Sequence, residues 1–119
     1  MKNLIYCPAE RAVYFLGGKW KIRILFSLLH NKKIRFGELK KGLKTITQQM
    51  LSKQLKELEA DGIVNRKVIQ IMPPKVEYSL TEFGLSVMPI LRSFSEWSKR
   101  NTRTISVKLN KNFEENRIR

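Results

Sequence analysis

The hydrophobic period of this chain switches at Asp61-Gly62, and that switch constrains the fold more than any other feature. Upstream, apolar residues recur at helical spacing. Downstream, residues 63–69 are rich in β-branched side chains and residues 76–80 alternate. Between these two runs stand Pro73 and Pro74, which cannot sit in a central strand, so the stretch reads as a two-stranded hairpin with a stiff tip. With 119 residues the chain holds one small domain and, at most, a short tail. The fold class that follows is mostly α with a small β-hairpin, an α+β arrangement.

The helices can be placed from their stripes. Pro8 suits the first turn of a helix that Ala12, Val13 and Leu16 continue, and Gly17-Gly18 stops it. From residue 19 to 29, Trp20, Ile24, Leu25 and Leu28 form the apolar line, while Lys19, Lys21 and Arg23 stay polar. Phe36, Leu39 and Leu43 mark a short third helix, closed at Gly42 or just beyond. The fourth begins near Thr45 or Thr47: Thr45 with Gln48 fits a capping box, and Thr47 is the alternative cap. Leu51, Leu55 and Leu58 define its buried face, and Asp61-Gly62 ends it with a left-handed cap. Thr81 can cap a final long helix in which Phe83, Val87, Ile90, Phe94 and Trp97 recur, with Leu80, Met88 and Leu91 alongside and Pro89 as a kink. Residues 1–100 form the domain, and residues 101–119 read as a basic, mostly disordered tail.

Charge narrows the partner. The chain carries 24 Lys and Arg against 10 Asp and Glu, a net +14, which favours polyanions: nucleic acid first, an anionic membrane second. The surplus is concentrated. Residues 19–44 hold nine Lys or Arg and one Glu, and residues 99–119 hold seven against two. No apolar run is long enough for a spanning helix, and the N-terminal residues lack the apolar stretch of a signal peptide. A single cysteine forms no internal disulfide, so a reducing cytoplasm is the expected home. One Cys and one His are too few for a structural zinc site, and no nucleophile–base–orienter set can be assembled. No catalytic residue, metal or cofactor is therefore expected.

Three compact helices followed by a hairpin is the winged helix-turn-helix layout. Residues 47–60 would be the second helix of the turn. Its outer face carries Thr47, Gln48, Gln49, Ser52, Lys53 and Lys56, side chains that donate to and accept from base edges and phosphates. Flanking Lys32, Arg35 and Lys44 would supply phosphate contacts, and the hairpin, through Arg66, Pro74 and Lys75, would lie against the neighbouring minor groove or backbone. The large aromatics read as core or dimer packing. The last helix has more apolar surface than one domain needs, so Val87, Leu91, Phe94 and Trp97, with Val13 and Tyr14 of the first helix, are assigned to a two-fold interface.

The strings CPAE, LGGKWKIRIL, RFGELKKGL, ITQQMLSKQLKELEADGIVNR, MPPKVEYSLTEFG and SEW occur in order from Cys7 to Trp97. On them the chain resembles the HxlR-type regulators, a branch of the MarR-like winged-helix proteins. The resemblance implies a cytoplasmic, homodimeric transcriptional regulator, a repressor or a redox- or electrophile-responsive switch, on a palindromic double-stranded DNA operator. It also implies a role for Cys7, since several members sense oxidants, quinones or aldehydes through a cysteine at this place. A thiol ahead of Pro8 sits at a helix N-terminus. The CP string also occurs in relatives with no demonstrated redox role, so sensor and inert thiol both stand. An effector, an oxidant or a small apolar molecule between the dimer helices, is compatible with this reading. The competing class is an RNA- or ribosome-associated basic module, for which the hairpin offers only Tyr78 as a stacking surface.

Overall fold

The computed structural model describes residues 7–118, with side chains described over residues 7–111. Residues 1–6, where the signal-peptide reading falls, lie outside the described residues. In chain order the elements are α1 (Pro8–Leu16), α2 (Lys19–His30), β1 (Ile34–Arg35), α3 (Phe36–Leu43), α4 (Gln48–Ala60), β2 (Val64–Gln70), β3 (Lys75–Leu80), α5 (Glu82–Leu85), α6 (Met88–Arg100) and α7 (Thr102–Ile118). They fall into two units, residues 1–86 and residues 87–119.

In the first unit the core is built from the stripes read in the sequence. Ile24, Leu25 and Leu28 of α2, Leu39 and Leu43 of α3, and Leu51, Leu55 and Leu58 of α4 are buried, together with Ile46 and Ile63. Each such side chain contributes roughly 1.5–3 kcal/mol on leaving water, so the three leucines of α4 outweigh its N-cap, which is worth about 1 kcal/mol. That cap is Thr47, whose Oγ1 accepts the Met50 N–H at 3.1 Å, so the choice between Thr45 and Thr47 falls to Thr47. Gly62, at φ 74°, takes the left-handed position after the helix.

Three expectations need correction in this unit. The sheet has three strands, in the order β1-β3-β2, not two. Ile34 pairs with Tyr78 and Arg35 with Glu77, both antiparallel, and a two-residue strand is too short to show a period in sequence. Lys21, expected to be exposed on α2, is buried, because its ammonium reaches Glu57 of α4. The helix after Thr81 does not continue through a kink: α5 ends at Leu85 and α6 starts afresh. Pro89 stands in the first turn of α6, where a missing N–H costs no intrahelical hydrogen bond.

The second unit comprises α6 and α7. Along α6, Val87, Met88 and Leu91 are buried, whereas Ile90, Phe94 and Trp97 stay exposed on the other side. Val87 and Leu91, assigned from sequence to the two-fold interface, are thus buried and not part of the exposed apolar line, since a helix presents residues three and four apart on one face. Residues 102–118, expected to be disordered, form α7. That stretch contains neither Gly nor Pro, and the Ile105 N–H donates to the Asn101 carbonyl (2.9 Å), so the helix restarts one residue beyond α6. Its low hydrophobicity suggested disorder, but the absence of breakers decided the backbone.

Candidate nucleic-acid interface

α3 and α4 are joined by residues 44–47, and the sequence specifies that turn tightly. Ile46 points into the core, fixing the midpoint. Lys44 has φ 62° and ψ −76°, and the Thr45 N–H donates to the Leu43 carbonyl at 2.8 Å. This is the strained form of γ-turn, which an L side chain rarely adopts. Its cost is of order 1–3 kcal/mol. Lys44→Gly removes it, and after glycine's own entropic cost the variant should be more stable by about 1 kcal/mol. Lys44→Ala keeps the strain and should show no gain. Urea melts of the two variants check this, and equal stabilities would refute the strain.

α4 then presents the polar face expected of it. Thr47, Gln48, Gln49, Lys53 and Lys56 are exposed and Ser52 is half-buried, and these six line one open groove. Gln48, Ser52 and Lys56 also border a second groove, between α4 and the sheet, where they meet Arg66 and Glu59. A third groove runs from the start of α3 to the hairpin tip and is lined by Arg35, Lys41, Pro74 and Lys75, with Glu38. Phe36 and Val76 belong to both the second and the third, so the two are continuous. The structure therefore brings ten of the twelve nominated nucleic-acid residues onto connected grooves. Lys32, in the bend before β1, and Lys44 are exposed but line none of the three. Lys41 was part of the basic cluster in sequence, but only the fold brings it beside Lys75.

Three sets of contacts position these elements. Lys21 Nζ lies 3.7 Å from Glu57 Oε1, tying α2 to the inner side of α4. The second carboxylate oxygen of Glu57 is buried without a hydrogen-bond partner, so the pair serves α4 as a brace at some cost in desolvation. Around Trp20, Lys19 Nζ and the Arg23 guanidinium sit 4.8 and 4.9 Å from the ring centroid. Each such contact is worth about 0.5–1 kcal/mol when exposed, and together they hold both cations along α2. The Arg35 N–H donates to Glu38 Oε1 at 3.2 Å, fixing the start of α3.

The remaining nominated residues lie elsewhere. Cys7 is exposed and caps α1, its carbonyl accepting the Arg11 N–H at 3.1 Å. Val13 and Tyr14 of α1 are exposed, as are Phe94 and Trp97 of α6. Tyr78 is buried in the sheet. No helix among the described residues is long and apolar enough to cross a membrane.

Comparison with known proteins agrees with this layout. The family model for HxlR-like helix-turn-helix proteins matches residues 15–106. The chain is 50% identical over 95 residues to the uncharacterised HTH-type transcriptional regulator YybR of Bacillus subtilis (strain 168), covering 80% of this chain and 75% of that protein. A second such regulator, BH0655 of Halalkalibacterium halodurans, is 48% identical across 85% of this chain and 89% of its own. Among solved structures, the redox regulator HypR in its reduced form superimposes with a TM-score of 0.80 at 44% identity, over 85% of this chain and 99% of that one. The reduced form of the regulator YodB from B. subtilis gives 0.70 at 35% identity, over 81% and 94%. With its winged fold, its capped and polar α4, and these relatives, the chain belongs to the HxlR-like helix-turn-helix family and is a DNA-binding transcriptional regulator, not an enzyme.

Proposed function

We propose that two copies of this chain bind an inverted-repeat operator, each inserting the outer face of α4 into a major groove. The observation that carries this reading is the exposed row from Thr47 to Lys56, polar and capped, beside a continuous cationic trough. Gln48, Gln49 and Ser52 read base edges, while Arg35, Lys53, Lys56, Arg66 and Lys75 hold phosphates. Lys32 and Lys44 add phosphate contacts from the edges, so Lys44→Gly should weaken binding to every duplex alike while raising stability. Burial of Tyr78 counts against the RNA alternative, since it leaves the hairpin without a stacking ring.

The second copy is held through the exposed apolar face of α6, with Val13 and Tyr14 of α1 contributing their own patch. Phe94 and Trp97 are 56% and 58% exposed, and large apolar patches on small domains mark interfaces. Nuclease footprinting on duplexes selected from a random pool tests this. Two protected half-sites about 34 Å apart are expected. Replacing both Phe94 and Trp97 by Ser should give a monomer whose footprint loses one half. A variant that remains dimeric, or a monomeric parent that binds every duplex equally, would overturn the reading.

The signal is proposed to reach the protein through Cys7. What supports this is its exposure at the start of α1 and the likeness to a redox regulator solved in reduced and oxidised forms. With one cysteine per chain, oxidation joins Cys7 to a second copy or to a small thiol. Diamide should change operator affinity in the parent and leave Cys7→Ser unaffected. An equal response in both proteins would remove Cys7 from the mechanism.

A further inference from the structure

The end of the hairpin has a chemistry that differs from everything around it. Ile71 and Met72 are each 82% exposed, and Pro73 and Pro74 beside them are exposed as well. Behind them Val68 and Ile69 are about half exposed, at 48% and 45%. The tip is thus apolar. The trough at its base is cationic: Lys56 and Arg66 face one carboxylate, Glu59, and Arg35, Lys41 and Lys75 face another, Glu38. One Glu38 oxygen is already engaged by the Arg35 N–H.

That sequence of surfaces has one close match on a duplex. With α4 in a major groove, a phosphate strand lying in the trough is the strand that separates this groove from the next. The tip projects past it, over the minor groove, which is about 6 Å wide and floored by bases. Apolar side chains in that position have no phosphate to pair with. They act on base steps, entering between them and kinking the duplex toward the major groove.

We propose that Ile71 and Met72 form an apolar wedge that partly unstacks a base step in the minor groove flanking each half-site and bends the operator. The wedge rests on the assignment of α4 to the major groove. It adds a specificity that no hydrogen bond supplies: flexible pyrimidine–purine steps should be preferred where the tip lands, because they unstack most easily. A free-standing apolar tip for a protein partner would not need five cations at its foot, and the charge complementarity therefore favours DNA.

The test compares the full-length parent with the I71S/M72S double variant on the duplex selected by the parent. Bending is read by energy transfer between end-attached dyes, and unstacking by 2-aminopurine placed at the flanking steps. Both side chains are mostly in solvent, so the variant should melt with the parent. The parent should bend the duplex by tens of degrees and brighten one flanking probe. The variant should lose both signals and bind about tenfold more weakly, the size of one lost specific contact. Its salt slope should stay unchanged, since no phosphate contact is removed. Equal bending and brightening by both proteins, or an affinity loss accompanied by a shallower salt slope, would overturn the wedge while leaving α4 in place. A variant that bends DNA normally but loses a protein partner would also overturn it. If the parent selects no duplex at all, the α4 reading falls and takes the wedge with it.

Discussion

Gly84→Ala should cost this protein much of its stability. A methyl group at position 84 would overlap the backbone carbonyl of Ile63, a fully buried residue at the foot of the sheet. That carbonyl cannot give way cheaply, because it also accepts the Thr81 N–H at 3.1 Å. Thr81 completes the knot: its hydroxyl donates to the Gly62 carbonyl (2.6 Å) and accepts the Gly84 N–H (2.9 Å). Overpacking against an immobile backbone sits at the upper end of such substitutions, about 3 kcal/mol, out of a total stability of roughly 5–15 kcal/mol. The melting temperature should fall by roughly 12–20 °C. Gly42→Ala is the control. Its methyl group meets nothing within 4 Å on an exposed turn of α3, so it should stabilise by about 0.4–1 kcal/mol. A Gly84→Ala protein that melts with the parent would show that α5 does not pack on Ile63 in solution.

The second large effect is on specificity. Replacing Gln48, Gln49 and Ser52 together by Ala should collapse operator preference, which for regulators of this kind is about 10³–10⁷ over random sequence. Folding should be untouched, since alanine favours helix and the buried Leu51–Leu55–Leu58 face is unchanged. Binding to random DNA should persist, because its cations remain. Arg35→Ala or Lys53→Ala should behave in the opposite way, weakening operator and random duplex alike and lowering the salt slope by about 0.9 each. Competition titrations at two salt concentrations separate the two patterns. If the triple variant lost as much on random duplex as on operator, the polar row would be a phosphate surface and not a reader.

Helix existence was legible wherever period and punctuation agreed. Pro8, the Gly17-Gly18 pair and Gly62 bound α1 and α4 much as the structure has them. What escaped was set by tertiary contacts that carry no local period. β1 is two residues long and exists because β3 lies beside it. Lys21 looks like any exposed lysine until α4 brings Glu57 to it. Pro89 reads as a kink within one long helix, whereas it stands in the first turn of a new one. On α6, the buried and exposed sides could not be told apart, since both lines of residues are apolar. The polar row on α4 was legible because the buried residues opposite it, Leu51, Leu55 and Leu58, are all leucine. The strain at Lys44 was not, because nothing in a Lys-Thr pair announces a positive φ.

The four-residue link before α4 and the four-residue tip of the hairpin differ in what they tolerate. An added residue between Leu43 and Gln48 must either drag Ile46 out of the interior or rotate α4 by about 100°. Additions after Gln70 lengthen only a solvent-facing loop, with the strand register already set below it. Length variation in descendants of this chain is therefore tolerated far better at the hairpin tip than in the link, where the aim of α4 is at stake.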